Sequence, residues 1–323
     1  MAKVAIFVVT YNRLEILSQT IESYKRFTTD YEVVIVNNGT DNPKCVALLE
    51  ELSKEHKIFT GPRIFTMEAL TENINNAVKD YYNNHSTPYF AVSDCDCCFD
   101  IAKPNTLDVF IELAEKLNCG VGPHYVVDDI PVSNALRNRT IKMESRILYR
   151  RRMRHLKDDI LYSDDQIDTT FCLFKRRQDF PRLQMPTIRV LTPYAARHLD
   201  WYIDCFNLTE GNLIYMNKDS SVGSTGGHFI KRIVEELSRS KENAFNFLLN
   251  EHNRDKAAIP GYPTDHSNNM FFLSWMYQFG HGCQIDIEKA KEFVINASPN
   301  STAQYNSHDV FKMIFDNDFS CLR

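Results

Sequence analysis

The feature that most constrains the fold is a repeated alternation of short apolar runs with amphipathic helical patterns in the first 93 residues. The runs are typical of strands covered on both faces and lie at 3–11, 31–36, 57–62 and 88–93, and helical spacing follows at 14–27, 44–56 and 67–84. Parallel neighbouring strands need crossover connections, which helices supply. The alternation therefore predicts an α/β fold with a mostly parallel, doubly wound sheet flanked by helices.

Composition excludes several classes of protein. The chain has 323 residues, a formal charge of -5 and no run of 18 apolar residues. Its overall charge gives no general attraction to nucleic acid or anionic lipid, and the N-terminal apolar stretch is too short for a signal peptide. Nine cysteines, several within apolar segments, fit reduced thiols better than a disulfide framework. We expect a cytoplasmic protein with no nucleic-acid partner and no membrane-spanning segment.

Polar clusters follow three of the predicted strands. They are "TYNR" at 10–13, "NNGTD" at 37–41 and "DCD" at 94–96. In doubly wound sheets, ligands bind outside the carboxyl ends of the strands. We therefore expect these three clusters to form one ligand site.

Asp94 and Asp96 are the candidate metal ligands in this site. Residues i and i+2 of a strand point to the same side, so the two carboxylates are expected to converge while Cys95 faces away. Two carboxylates suit Mg²⁺ or Mn²⁺ carrying a diphosphate. The alternative is that these residues form a solvated, Asp-rich turn. Their position at the sheet edge favours the interpretation as metal ligands.

Cys95 and Cys98 offer a rival interpretation through their CxxC spacing. No second CxxC or CxxH follows to complete a zinc site, and a redox pair would need a helix start without interleaved acids. We interpret these cysteines as packed thiols.

Together these segments resemble the nucleotide-sugar-binding half of GT-A-fold glycosyltransferases of the family 2 type. The resemblance rests on "VAIFVVTYNR", "VVIVNNGTDNP", "YFAVSDCDCCFD", "GVGPHYVVDDIP", "IDTTFCLFKRR" and "IRVLTPYAARHLDWY", and it covers about residues 3 to 205. The second strand ends in two asparagines where many relatives have Asp, so the identity of the nucleotide base is left open. The resemblance implies base and ribose contacts from Thr10, Tyr11, Asn12 and Arg13, base contacts near Asn37 and Asn38, metal and ribose-diphosphate contacts from Asp94, and a metal set of Asp94, Asp96 and His198.

An inverting transfer also needs a general base near the acceptor hydroxyl. Asp129 is the candidate, because "VVDDIP" follows an apparent strand and leads into a loop. The other carboxylates considered are Asp128, Asp164, Asp165, Asp200 and Asp204. A retaining enzyme would need no such base, and Asp129 would then orient the acceptor.

The last third of the chain differs from the rest. We predict a catalytic domain at 1–215 and a helical region at 216–323, within which 268–298 resembles a Sel-like repeat of the tetratricopeptide type through "LSWMYQFGHGCQIDIEKAKEF". Such repeats normally need neighbours to cover their faces. The repeat is expected to dock on the catalytic domain, with a second copy or a partner protein as alternatives.

These inferences predict a metal-dependent glycosyltransferase that moves a sugar from a nucleotide-diphosphate donor to a glycan hydroxyl. The cofactor is Mn²⁺ or Mg²⁺, and a UDP-sugar is favoured over a GDP-sugar because of the fold. One alternative is a sugar-phosphate nucleotidyltransferase, although "VVTYNR" lacks the Gly-rich loop that such enzymes carry. Another is a non-catalytic scaffold that works through its helical repeat.

Overall fold

The computed structural model describes residues 3–64, 66–150, 154–156, 160–167, 169–217, 227–257, 264–297 and 307–320. Its strands are β1 Val4–Thr10, β2 Tyr31–Asn37, β3 Lys57–Thr60, β4 Tyr89–Asp94, β5 Cys97–Cys98, β6 Gly120–Pro123, β7 Arg154–Leu156, β8 Ile160–Asp164, β9 Cys172–Lys175, β10 Thr187–Val190 and β11 Arg197–His198. Its α-helices are α1 Glu15–Tyr24, α2 Pro43–Leu52, α3 Met67–Tyr82, α4 Thr106–Leu117, α5 Arg137–Arg150, α6 Glu210–Asn217, α7 Gly227–Leu237, α8 Lys241–Ala257, α9 Thr264–Phe279, α10 Ile287–Asn296 and α11 Ser307–Phe311.

The chain forms two compact units. The first consists of Met1–Val126, Arg151–Leu199 and Glu210–Ser224, and the second of Val127–Arg150, Asp200–Thr209 and Thr225–Arg323. The helical unit therefore takes in segments at 127–150 and 200–209 as well as the C-terminal region. The predicted boundary at residue 215 stays a prediction.

The first unit is built on a nine-stranded sheet with the order β3-β2-β1-β4-β9-β6-β10-β8-β7. The strands β9 and β8 run antiparallel to both of their neighbours, and the other pairs are parallel. The predicted fold class is confirmed: a mixed α/β fold with a mainly parallel sheet flanked by helices, followed by C-terminal helices.

Aromatic side chains fill both faces of this sheet. On one face Phe7 makes edge contacts with Tyr81 of α3 and with Phe90, at ring-centroid distances of 5.6 and 6.3 Å. On the other, Tyr24 of α1 contacts Phe99 at 5.9 Å. Burial of one such ring stabilises the fold by about 1.5–3 kcal/mol, so these contacts fix the helices on the sheet. The same aromatic contacts hold the ends of the strands in place.

The second unit is helical, with α9 and α10 forming a helix-turn-helix where the repeat was predicted. In the turn, Gly280 and Gly282 have φ angles of +68° and +79°, and a Cβ on Gly282 would lie 2.1 Å from the Lys241 carbonyl oxygen. Only glycine fits there without strain. The helical hairpin is thus observed, while its membership of the Sel-like repeats and its docking remain predictions. Residue 298, the end of the predicted repeat, lies outside the described residues.

In the described part of the chain, none of the helices combines the length and the apolar character that crossing a membrane requires.

Candidate active site

The three polar clusters meet at one edge of the first unit, as predicted. Thr10 at the end of β1 pairs in register with Asn37 at the end of β2, and Val9 pairs with Asp94 at the end of β4. Because these strands are parallel, their carboxyl ends share the edge. The side chains that follow them form the candidate site.

Asn12 clamps the loop that follows β2. It has a left-handed φ of +48° and is fully buried. Its Nδ2 donates to Asp41 Oδ1 (2.8 Å), and its Oδ1 accepts from the backbone N–H groups of Asp41 (3.1 Å) and Asn42 (3.0 Å). Asn tolerates this backbone conformation because its short side-chain amide forms hydrogen bonds with nearby groups. The Asn12 side chain therefore holds the loop after β2 in place. Its contact with the nucleotide stays a prediction.

Asn37 and Asn38 shape the neighbouring turn. Asn37 Oδ1 accepts from the Thr40 N–H (2.9 Å), and Asn38 Oδ1 accepts from Asn73 Nδ2 of α3 (2.5 Å). The next residue, Gly39, has a φ of +78°, and a Cβ there would lie 2.7 Å from the Arg63 nitrogen. The Asn-Asn-Gly sequence thus lets the loops after β2 and β3 approach closely.

In the first cluster, a cation lies over the Tyr11 ring and two side-chain oxygens are buried. The Arg63 guanidinium lies over the Tyr11 ring, with its carbon 3.9 Å from the centroid. Thr10 Oγ1 and the Tyr11 hydroxyl are buried and have no hydrogen-bond partner within the described residues. Buried polar atoms normally have partners, so these two oxygens are candidate hydrogen-bonding groups for a ligand.

Asp96 does not lie on the same strand as Asp94, which corrects the geometric premise of the prediction. Strand β4 ends at Asp94, Cys95 and Asp96 form a turn, and the chain returns in β5. Strand β5 pairs with β11 in a two-stranded ribbon, with Cys97 opposite His198. The ribbon therefore brings His198, about a hundred residues away in sequence, to Asp96.

The Asp96 carboxylate is the electrostatic centre of the site. Its Oδ2 lies 3.7 Å from Arg13 Nη2 and 3.6 Å from His198 Nδ1, and Asp96 is only 5% exposed. The Arg13 guanidinium stacks on Tyr215 of α6, 3.4 Å from the ring centroid. A buried carboxylate needs such positive or hydrogen-bonding neighbours because water no longer solvates it.

Asp94 is held from a different direction. Its backbone N–H donates to the Thr169 carbonyl (2.7 Å), and Thr169 Oγ1 donates to Asp94 Oδ2 (2.9 Å). Two contacts from one residue fix both the backbone and the carboxylate of Asp94. The segment before β9 therefore controls where this acid points.

The donor set fits a divalent cation in part. Asp96 Oδ2 and His198 Nδ1 lie 3.6 Å apart, and carboxylate with imidazole suits Mn²⁺. Within the described ranges, no group of three or more His, Cys, Asp or Glu side chains is arranged to hold a metal ion, so Asp94 does not complete a triad with these two. Sites for Mg²⁺ often use one or two carboxylates and complete their shell with water and substrate phosphates.

The neighbouring cysteines are free thiols, as expected. Burial raises the pKa of Cys97, and the carboxylates of Asp96 and Asp94 raise it further. Burial also raises the pKa of Cys98. Neutral thiols are poor metal ligands and poor nucleophiles. Asp100, which the prediction left out of the metal set, pairs with Arg197.

Asp129 lies in the second unit. It is exposed and accepts a hydrogen bond from the Tyr202 hydroxyl. Its role as general base stays a prediction. Asp165, another candidate for the general base, is buried in an ion pair with Arg189 (2.7 Å). Its carboxylate therefore already has a partner.

The sequence profile described as glycosyl transferase family 2 matches residues 5–180, more than half of the chain and nearly the whole of the sheet. The chain belongs to glycosyl transferase family 2. The matched range contains β1 except for Val4, all of β2 to β9, and both acids of the candidate site. His198, Arg189 and Tyr215 lie beyond it.

Solved structures with low similarity also align with this family 2 chain. A mannosyltransferase from Pyrobaculum calidifontis in complex with GDP-Man and Mn²⁺ is 10% identical, over 96% of this chain and 79% of that chain, with a TM-score of 0.35. TarS residues 1–349 from S. aureus, in complex with UDP-GlcNAc, is 12% identical, over 98% of this chain and 89% of that chain, with a TM-score of 0.37. The comparison with curated proteins gives no match.

Sequence reasoning missed three side chains of this site: Arg63, Thr169 and Tyr215. Arg63 follows the third strand pattern, so the rule that ligands bind at strand ends could have included it. Thr169 lies in "IDTTF", a segment that carries only the family resemblance and no site prediction. Tyr215 comes from a helix remote in sequence, and no local pattern marks it.

Proposed function

We propose that this family 2 member is a metal-dependent glycosyltransferase that uses a nucleotide-diphosphate sugar, with UDP-sugars favoured, and transfers the sugar to a hydroxyl of a glycan. The observation that carries the proposal is the buried Asp96 carboxylate, with Arg13 and His198 beside it, at the carboxyl edge of the family domain. That arrangement supplies charge where a diphosphate is expected to bind.

The cation is proposed to bind Asp96 and His198. Asp94 is proposed to contact the ribose-diphosphate part of the donor, beside the cation. Mn²⁺ or Mg²⁺, when bound, supplies a Lewis acid that stabilises negative charge on the leaving diphosphate. The protein groups have separate tasks. Arg13 is buried and positively charged, and we assign it to the diphosphate because charge-assisted hydrogen bonds to phosphate are strong.

The base of the nucleotide is assigned to the edge formed by Thr10, Tyr11 and Asn38. Thr10 Oγ1 and the Tyr11 hydroxyl are buried hydrogen-bonding groups, and the Arg63 guanidinium adds a planar cation over the Tyr11 ring. A planar cation over an aromatic ring can also stack on a nucleobase. Asp129 is proposed as the base that accepts the proton of the acceptor hydroxyl, if the transfer inverts configuration.

The test is a donor panel with site variants. UDP-, GDP- and dTDP-sugars are screened with Mn²⁺ for binding by calorimetry and for slow hydrolysis, first with the wild type and then with Asp94→Ala and Asp96→Ala. We expect at least one donor to be hydrolysed, and each variant to lower that rate by a factor on the order of 100, as the loss of about 3 kcal/mol of charge stabilisation implies.

The control is Asp108→Ala, which removes an exposed carboxylate of α4 that pairs with Lys3. It should leave donor hydrolysis unchanged. Metal-dependent nucleotide binding that persists unchanged in both site variants would contradict the transferase assignment. Failure of every donor with the wild type would favour a scaffold, and pyrophosphate release from a nucleoside triphosphate with a sugar phosphate would favour a nucleotidyltransferase.

A further inference from the structure

Arg189 is a buried arginine within β10 of the first unit. Its side chain is 10% exposed, and all of its guanidinium nitrogens donate hydrogen bonds. The acceptors are Asp165 Oδ2 at 2.7 Å from Nε, the Pro123 carbonyl at 3.0 Å from Nη1, and Thr170 Oγ1 at 3.2 Å from Nη2. Well-packed apolar residues often stabilise a core as much as a buried ion pair does. The pair therefore calls for an explanation beyond stability.

Two of the three groups that Arg189 holds, Asp165 and Thr170, lie on the segment between β8 and β9, and the third is the Pro123 carbonyl at the end of β6. Asp165 begins this segment and Thr170 lies near its end, so one guanidinium fixes both. The segment lies directly on β6, because a Cβ at Gly122 would come within 2.2 Å of the Phe171 carbonyl oxygen. Phe171 is fully buried with a φ of +49°. A bulky residue in that conformation persists only where the surroundings enforce it.

This enforced turn carries the residue that holds Asp94. The Phe171 N–H donates to the Thr169 carbonyl (2.9 Å), which also accepts from the Asp94 N–H (2.7 Å). Thr169 Oγ1 donates to the Asp94 carboxylate (2.9 Å). Arg189 therefore acts on Asp94 through the turn at Thr169–Phe171.

A second branch leads from the same segment to Asp96. The Tyr125 hydroxyl donates to the Thr170 carbonyl (2.8 Å) and lies 3.0 Å from Cys97 Sγ, next to Asp96 in the chain. The Tyr125 ring also makes an edge contact with the His198 ring, at 5.5 Å between centroids. Burial raises the pKa of Tyr125, so its hydroxyl stays a donor.

We propose that Arg189 is a positioning residue of the donor site. Paired with Asp165, it fixes the turn at Thr169–Phe171, and that turn orients Asp94 through Thr169 and Asp96 with His198 through Tyr125. The proposal rests on the proposed function, because Asp94 and Asp96 are taken as the groups that hold the donor diphosphate and its cation.

Arg189→Lys tests the proposal. Lysine keeps the positive charge, but a single ammonium cannot hold Asp165 and Thr170 with the planar geometry of a guanidinium. We expect binding of UDP or GDP in the presence of Mn²⁺ to weaken by about tenfold, the lower range found for groups that orient metal ligands. Donor hydrolysis should fall by a similar factor. Calorimetry gives the affinity, and thermal unfolding of the same samples gives the stability.

The matched control is Ile188→Ala. Ile188 adjoins Arg189 on β10, is 3% exposed and faces the opposite side of the sheet. Its truncation should lower the unfolding temperature at least as much as Arg189→Lys does, and it should leave nucleotide affinity unchanged at temperatures well below unfolding. If the control weakens binding equally, general loosening of the fold explains the effect and the proposal is wrong.

A double-mutant cycle with Thr169→Val gives a second readout. Thr169→Val removes the hydroxyl bonded to Asp94 and keeps the backbone contact. If Arg189 acts through Thr169, the double variant should lose less affinity than the product of the two single losses. Independent, multiplicative losses would overturn the proposal, and so would unchanged affinity in Arg189→Lys. If the wild type binds no nucleotide, the proposed function and this inference fail together, whereas an active wild type with an unaffected Arg189→Lys variant overturns the inference alone.

Discussion

Arg189 of the first unit and Arg137 of the second are both buried, and their guanidinium groups have different hydrogen-bond acceptors. Arg189 of the first unit pairs with the carboxylate of Asp165. Arg137 of the second unit is 2% exposed and donates to the Ile130 carbonyl (3.3 Å), the Ile314 carbonyl (3.0 Å) and Asn317 Oδ1 (2.9 Å), all of them neutral. Burial lowers the pKa of Arg137 to about 10.

The difference follows the task of each unit. In the first unit, opposite charges are buried in pairs near the carboxyl edge of the sheet, and they orient groups that are expected to meet a charged donor. In the second, buried polar groups close gaps between helices, as where Asn138 Nδ2 donates to Ser274 and Gln278 of α9 (3.0 Å each). Charge pairs thus shape the site, while neutral hydrogen bonds connect the helical unit.

Replacing each arginine by methionine tests this contrast, with the largest expected effects on stability. At pH 7.5, Arg189→Met leaves Asp165 charged, buried and unpaired, and should lower the free energy of unfolding by about 3–5 kcal/mol. Arg137→Met leaves three neutral acceptors unpaired, and about 3 kcal/mol is expected. Urea unfolding of the full chain, followed by fluorescence, measures both losses.

The pH dependence separates the two variants. At pH 4.5 the unpaired Asp165 of Arg189→Met can take up a proton and lose its charge, so the loss relative to the wild type should shrink. The loss in Arg137→Met should not change, because its acceptors do not titrate. Equal pH dependence in the two variants would show that the buried charge pair is not what distinguishes the first unit.

Two histidines with lowered pKa values, the buried His124 of the first unit and the half-buried His281 of the second, should contribute to the acid sensitivity of the wild type. Burial and the Arg189 charge lower the pKa of His124 to about 3, and burial and Lys241 lower that of His281 to about 4. Both values lie below the usual 6.5, so the unfolded chain takes up protons first as pH falls. The contribution of each histidine is therefore complete above pH 6.5 and is lost as pH falls. By pH 4.5 the protonation of His124 should remove about 2.5 kcal/mol, and that of the half-buried His281 should remove less, because solvent screens its charge.

The variants His124→Asn and His281→Phe check these contributions. Each should lose less unfolding free energy than the wild type between pH 7 and pH 4.5, whatever its stability at pH 7. His281→Phe keeps a ring in the cluster with Trp275, where the centroids of His281 and Trp275 lie 4.4 Å apart. A pH profile identical to that of the wild type in both variants would contradict the assignment.

The sequence predicts the first unit far better than its site. Period and composition give β1 to β4 and their helices, because buried parallel strands and amphipathic helices have distinct local patterns. They also identify Asp94 and Asp96 by position at a strand end. Periodicity does not encode contacts between residues distant in sequence. Two features of the site depend on such contacts: the antiparallel pairing of β9 with β4, and the β5–β11 ribbon that places His198 near Asp96.

Arg189 marks the limit of what a local sequence pattern predicts. A charged residue in "TIRVL", between β-branched neighbours, indicates either a solvent-facing position or a buried pair, and arginine is rarely buried alone. The pattern alone does not name Asp165 as the partner, since that choice depends on the pairing of β8 with β10. The helical hairpin of the second unit is visible in sequence, but Arg137 and its three acceptors are not.

The smallest predicted effects come from a matched pair of helix caps. Asn42 caps α2 in the first unit, accepting from the backbone N–H groups of Lys44 (3.0 Å) and Cys45 (3.4 Å), and Asp286 caps α10 in the second, accepting from that of Lys289 (3.0 Å). Replacing either cap by alanine should cost about 1 kcal/mol of unfolding free energy.

The two caps should differ in function, which sharpens the comparison of the units. The Asn42 N–H also donates to Asn12 Oδ1, so a loosened start of α2 should disturb the loop that Asn12 holds beside the proposed nucleotide-binding edge. We expect Asn42→Ala to weaken nucleotide binding a few-fold in calorimetry, and Asp286→Ala to leave it unchanged. Since both variants lose similar stability, a difference in affinity can only come from where each cap lies. Equal affinities would instead mean that the edge tolerates local loosening and that its order comes from the sheet below it.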